Sequence, residues 1–496
     1  MQYQSTRGNG AQITAAQAIA QGLSENGGLY VPENFPQLSE KTISDLASMS
    51  YKDRAAYILD LYLSDFSIDE ISRYTSEAYS MPNFSNPAIA PLHKLDKSTH
   101  FLELWHGPTC AFKDMALQML PHLLTASLRK IGEKRQVCVL VATSGDTGKA
   151  ALEGFCDISG TKVMVFYPDE GVSDVQKLQM TTQEGENVNV VAIEGNFDDA
   201  QAGVKAIFSD AHLQKELDKA GFLLSSANSI NWGRLVPQIV YYISAYCDLI
   251  NQAEITPGEK INFCVPTGNF GNILAAYYAM KMGLPIGKLV CASNSNDVLT
   301  EFLKSGIYDK NRQFFTTVSP SMDILVSSNL ERLLFDIMGR DGQCISNLMA
   351  ALNTDGRYVV QGHFKDEIDR IFSGGMCSEE DTLKTIATTY HEHKYLMDTH
   401  TAVAYKVLSD YRNKTGDETK SVIVSTASPF KFCDSVLSAL GCDNTGDGMK
   451  LLKLLAQYTQ TDTPTPLAAL EGKKARFLTS ISIDNMKTEV LKFLKG

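Results

Sequence analysis

Residues 105–118 (WHGPTCAFKDMALQ) contain a lysine placed to do carbonyl chemistry. Gly107 and Pro108 form a turn, and the residues from about Phe112 suit a helix that runs into apolar sequence ending near Leu124. Lys113 then falls in the first turn of a helix packed into a domain. A lysine kept from water can lose its proton and attack a carbonyl to form a Schiff base. Alone, the residue reads more readily as a solvated surface lysine. Four other polar stretches give it a context.

PTGNFGN (residues 266–272) reads as an anion cradle. Gly268 and Gly271 allow close backbone approach, and NILAAYYAM begins a helix whose free N–H groups face the loop. Asn269, Asn272 and the helix dipole would stabilise a phosphate there. The spacing is not that of a dinucleotide fingerprint, which needs a third glycine. TSGDTG (143–148) is not a Walker loop, because only Asp146 and Thr147 separate Gly145 from Gly148. It remains a hydroxyl-rich turn at a helix start, suited to a carboxylate through Ser144 and Thr147. SANSINWGR (226–234) offers Asn228, Asn231 and Arg234, the arginine able to grip a phosphate bidentately. TASPFKF (426–432) ends a buried strand at Thr426, which could hydrogen-bond a heteroaromatic nitrogen and leave it neutral, with Lys431 near a polar end. Each loop alone is also an ordinary capping turn. All four lie at the C-terminal ends of expected strands, where open α/β sheets bind ligands.

The elements that would position these loops alternate. Strands are expected at 136–142, 162–167, 189–193, 222–226, 261–265, 289–292 and 422–425. Helices are expected at 174–184, 198–213, 233–251 and 271–282. Strands interleaved with helices indicate parallel sheets flanked by helices, an α/β fold. Residues 1–87 read as a mostly helical N-terminal unit ending in the proline-rich stretch 81–95. The expected division continues with a large α/β domain from 88–135 and 236–460, a smaller nested α/β domain at 136–235, and a C-terminal tail at 461–496.

The chain has 496 residues, too many for one core, and 44% hydrophobic content, ordinary for soluble protein. A net charge of −12 argues against nucleic-acid binding, and no apolar run is long enough to span a membrane. The N-terminus lacks a signal-peptide pattern, and ten scattered cysteines with no C-x-x-C pair fit a reducing cytoplasm. Cys110 has no histidine partner at readable spacing, so no thiol catalysis is expected. His391, His393 and His400 cluster, but an HxH pair on a helix faces two ways, and no metal site is expected. His106 reads as a packed loop residue or an orienting donor.

Taken together, these motifs resemble the threonine synthase family, pyridoxal-phosphate (PLP) enzymes of fold type II, the tryptophan synthase β-like fold. The resemblance runs nearly end to end through YQSTRG, GGLYVP, HGPTCAFKD, TSGDTG, SSANSINWGR, PTGNFGN, SPSMDILVSSNLERLL (319–334), HTAVAY (400–405) and STASPFKF. It implies that Lys113 is the Schiff-base lysine. Gly268, Asn269, Phe270, Gly271 and Asn272 would hold the cofactor phosphate, and Thr426 would meet the pyridine nitrogen. The implied reaction converts O-phospho-L-homoserine and water to L-threonine and phosphate, by γ-elimination of phosphate and β-addition of water. Arg234, Asn231 and Lys431 are the expected holders of the departing phosphate. The alternative on the same scaffold is a phospho-lyase or dehydratase giving 2-oxobutyrate. The resemblance fits a monomer or homodimer acting on a small molecule.

Overall fold

The computed structural model describes residues 1–8, 10–169 and 171–495. Near the N-terminus, β1 (Tyr3–Ser5) pairs antiparallel with β2 (Tyr30–Pro32). The surrounding helices Ala15–Gln21, Glu40–Ala47, Tyr51–Tyr62 and Ile68–Ala78 each begin at a hydroxyl cap: Thr14, Ser39, Ser50 and Ser67 in turn. These side chains satisfy backbone N–H groups that the first helical turn leaves unpaired.

Two sheets follow. β3 (Leu92–Lys94), β4 (Thr99–Glu103), β9 (Ile261–Pro266), β10 (Ile286–Ser293), β13 (Phe372–Met376) and β14 (Ser421–Ser425) form a six-stranded sheet in the order β13-β10-β9-β14-β4-β3. Only the edge strand β3 runs antiparallel to its neighbour. β5 (Gln136–Ala142), β6 (Thr161–Pro168), β7 (Val188–Ile193), β8 (Phe222–Ser226) and β15 (Ser480–Ile481) form a wholly parallel sheet in the order β15-β7-β6-β5-β8. Every residue of β9 and β14 is buried, as expected of central strands covered by helices on both faces. A short antiparallel pair, Ile307–Asp309 with Arg357–Val359, lies apart from both sheets.

The structure corrects two sequence expectations. The helix expected at 198–213 is two helices, Phe197–Ser209 and Ala211–Lys219. Asp210 breaks it by accepting from the backbone of His212 and Leu213 as a cap. The lysine helix stops after Asp114–Leu117 and restarts as Leu120–Lys130, where Pro121 occupies a first-turn position that needs no N–H. The C-terminal tail expected at 461–496 is, over its described residues, packed against the fold. It supplies β15 and the helix Met486–Lys495, whose Met486, Val490 and Leu494 are buried against Val191, Ile193 and Ala200. Gly203 makes room for this helix, since a Cβ there would lie 2.2 Å from the Met486 sulfur.

Candidate active site

Lys113 is fixed by the chain around it. Phe112 N–H donates to Thr426 O at 2.8 Å, Ser428 N–H donates to Cys110 O at 3.0 Å, and Ala111 bridges Ala427. The lysine loop is thus tied to the loop leaving β14. Asp114 locks the preceding turn by accepting from Thr109 N at 2.8 Å and Thr109 Oγ1 at 2.7 Å. The Lys113 side chain is 11% exposed, and its Nζ lies 3.2 Å from Ser321 Oγ and 3.3 Å from Asp146 Oδ2. Burial, aided by Lys431 and Arg234 and opposed by Asp146, holds its amine below the usual lysine range. A lysine so held is an accessible nucleophile and base.

One cavity of about 1090 Å³ takes in Lys113 together with Ser144, Thr147, Asn228, Asn231, Arg234, Gly268, Asn269, Phe270, Gly271, Asn272 and Thr426. The 143–148 loop is shaped by Thr143 Oγ1, which accepts from Gly145 N and Gly148 N at 3.0 and 2.9 Å. Gly145 adopts φ 130°, and a Cβ there would meet the Gln176 amide at 2.5 Å.

The 266–272 loop has the character of a phosphate site. The helix Gly271–Lys281 begins after Phe270, which sits in the left-handed region at φ 63° and gives no side-chain cap. The N–H groups of the first turn are therefore left for a ligand. Asn272 Oδ1 accepts from the Tyr241 and Tyr242 hydroxyls at 2.5 and 2.6 Å. That fixes the amide and leaves its Nδ2 buried with no acceptor among the described residues. A Cβ on Gly268 would fall 2.8 Å from Ser321 O, so the loop needs glycine to pass under the 319–323 segment. Uncapped helix N–H groups, an unsatisfied buried amide donor and a buried lysine together fit the phosphate and aldehyde of PLP.

Arg234 is buried and has no carboxylate partner among the described residues. One of its terminal nitrogens donates to Ala227 O, and its Nε lacks a partner. Burial lowers its pKa to about 10, which leaves it charged at neutral pH. It is a cation held ready for an anion.

Two expected phosphate holders are placed otherwise. Asn231 lines the cavity, but its Oδ1 accepts from Gly233 N at 2.8 Å and its Nδ2 donates to Ile19 O at 3.0 Å, so its amide serves as a helix cap. Lys431 does not line the cavity. It is fully buried against Asp146, Gln179 and Thr109 O, where its charge is already matched.

Several contributors escaped sequence reading. Asp146 counted only as a spacer in TSGDTG, although an acid in the first turn after a ligand loop was the available signal. Ser321 lay inside the quoted SPSMDI segment without a role. His400 borders the cavity; its Nε2 accepts from Ser321 N at 3.2 Å and its Nδ1 donates to Asp398 Oδ2 at 2.8 Å. His391 and His393 lie in the last turn of the helix Glu379–His393, and no metal-binding cluster is found among the described residues. His106 stacks on Trp105 and pairs with Glu103, a packed loop histidine. Burial pushes the Cys110 thiol up to about 12, so it is no nucleophile. All ten cysteines are free. No helix among the described residues is long and apolar enough to cross a membrane.

Three family models match the chain. One for the threonine synthase N terminus covers residues 2–79, one for pyridoxal-phosphate dependent enzymes covers 85–351, and one for the threonine synthase C-terminal region covers 401–490. The chain is 40% identical to threonine synthase of Pseudomonas aeruginosa over 440 residues, 88% of this chain and 90% of that protein. It is 42% identical to threonine synthase-like 1 of Homo sapiens over 436 residues, 86% of this chain but 58% of that longer relative. The crystal structure of a PLP-bound threonine synthase from Brucella melitensis matches over the full length of both chains, with a TM-score of 0.88 and 36% identity.

Proposed function

The chain belongs to the threonine synthase family of pyridoxal-phosphate-dependent enzymes, and from that premise we propose that it converts O-phospho-L-homoserine and water to L-threonine and phosphate. The observation that carries this reading is one cavity holding a buried lysine, an uncapped helix start and a buried arginine with no carboxylate partner among the described residues. One anion site serves the cofactor phosphate, and the arginine offers a second for a phosphorylated substrate. That second site distinguishes a phospho-substrate from a plain hydroxy amino acid.

PLP, when bound, supplies an electron sink for the carbons of an attached amino acid. The residues at 268–272 and the first turn of Gly271–Lys281 would hold its phosphate, and Thr426 would hydrogen-bond its ring nitrogen without protonating it. Lys113 would carry the aldehyde, and when released it would take the proton from the substrate Cα and return one later. Ser144, Thr147 and the backbone of their loop would hold the substrate carboxylate. Arg234, with Asn228 lining the same cavity, would grip the phosphate as it departs from Cγ, stabilising developing charge away from bulk water. Residues of 21–27 and of the helix Phe197–Ser209 also line the cavity, and their closure over it would exclude water that competes for those contacts.

A product assay tests the reading. Purified protein with PLP and O-phospho-L-homoserine is expected to release phosphate and threonine in equal amounts. Phosphate matched by 2-oxobutyrate would instead make the protein a phospho-lyase.

A further inference from the structure

Beneath Lys113 lie two charged groups that the reaction above does not use. Asp146, 3% exposed, opens the helix Asp146–Gly154. Lys431, with no exposed surface, comes from the turn Pro429–Phe432. The Asp146 carboxylate divides its two oxygens between them. Oδ1 meets the Lys431 ammonium at 2.9 Å and the Gln176 amide at 2.8 Å, while Oδ2 faces Lys113 Nζ at 3.3 Å. Lys431 also donates to Thr109 O at 2.8 Å and Gln179 Oε1 at 2.9 Å. Two hydrogen bonds and the Asp146 ion pair hold it in place, so it is a fixed charge rather than a ligand-binding one. One carboxylate is therefore shared by an immobile amine and by the amine that must move.

We propose that Asp146 is a proton-positioning residue: it receives the Lys113 amino group whenever substrate displaces it from the cofactor, and the Asp146–Lys431 pair balances that amine between its neutral and charged forms. The proposal rests on Lys113 being the carbonyl-binding amine. An amine that takes a proton from carbon and later returns it must have both forms within reach. Asp146 alone would hold Lys113 as an ammonium, and Lys431 takes up much of that field. Burial opposes the Asp146 charge, but Lys431, Lys113 and the Gln176 amide outweigh it and hold the carboxyl well below the usual aspartate range. Asp146 thus stays ionised while Lys113 changes state. Among the other charged or titratable groups, Arg234 shares the cavity with Lys113, and His400 stands behind Ser321. Asp114 is turned to Thr109.

The test uses the full-length protein freed of cofactor. Lys113 is titrated by its rate of reaction with an amine-directed label across pH, read by peptide mass spectrometry. Asp146→Asn keeps the side-chain shape, and the midpoint is expected to fall by about 1–3 pH units; Lys431→Met is expected to raise it by a similar amount. In the loaded enzyme the acid limb of the kcat profile should move in the same two directions. A purely structural role would move neither midpoint or both the same way. Either result, in variants with wild-type circular dichroism, would overturn the proposal. Should one variant fail to fold, the sign of the shift in the other decides. Opposite midpoint shifts without turnover of O-phospho-L-homoserine would leave the positioning role standing and remove the substrate assignment.

Discussion

At Arg234 a buried guanidinium has been assembled without a carboxylate to meet it among the described residues, which is costly unless an anion arrives. Arg234→Ala removes a charge-assisted contact worth about 1.5–3 kcal/mol. Affinity for a phosphonate analogue of O-phospho-L-homoserine should then fall about 10- to 100-fold, as read by titration of the cofactor's absorbance. Unchanged affinity would take Arg234 out of the phosphate site. Lys113 gives a pH prediction. Its amine is held low by burial, with Lys431 and Arg234 adding and Asp146 opposing, and it must be unprotonated to act as a base. The kcat profile should therefore rise with pH through that lowered value and fall below it. The inflection should lie under the roughly 10.4 of an unperturbed lysine, and an inflection at that ordinary value would contradict the base role. That Lys113, the 266–272 loop and Arg234 gather in one cavity was legible because polar residues interrupting apolar runs are visible in sequence. Asp146, Asn231 and Lys431 were misjudged for a single reason: whether a polar side chain is free for a ligand depends on partners far away in the chain. Asn231 spends its amide on Ile19, and Lys431 spends its charge on Asp146.

The elements that read clearly are those buried on both faces. β5, β9 and β14 announce themselves as unbroken apolar runs, because parallel strands covered by helices have no solvent side to alternate with. The edge strand β15 has two residues, neither buried, and no such signal. The join between elements is where the cofactor loop is most sensitive. Gly268→Ala would set a methyl 2.8 Å from Ser321 O and 3.3 Å from Met322 Cα, both backbone atoms that cannot swing aside. The strain, about 1–3 kcal/mol, should weaken PLP binding up to roughly 100-fold by equilibrium dialysis, with little change in secondary structure. Wild-type affinity would mean the 319–323 segment yields freely. The C-terminal helix has its own test. Met486 is 1% exposed beneath Gly203, and Met486→Ala should lose about 2–5 kcal/mol, seen as a lower denaturation midpoint. An unshifted midpoint would show that the helix contributes nothing to the five-stranded sheet.

At the scale of the whole molecule, the cavity draws its walls from three places far apart in sequence: residues 21–27, the helix Phe197–Ser209, and residues 310–328. Sequence patterning gives no sign of which surfaces these segments face, so the enclosure was not legible while the loops at its floor were. A phosphonate analogue bound to the loaded enzyme should slow hydrogen exchange in residues 21–27 and in Phe197–Ser209, leaving the already buried β9 unchanged. Exchange unaltered in both lips would argue against closure. The central claim is that phosphate leaves from carbon and that water supplies the new hydroxyl. Running the reaction in water enriched in oxygen-18, with the wild type and Lys113→Ala side by side, tests it most directly. The expected result is threonine carrying the label in its hydroxyl, unlabelled phosphate, and no product from the variant. Labelled phosphate with homoserine, formed equally by both proteins, would show simple ester hydrolysis and contradict the lysine-centred reaction.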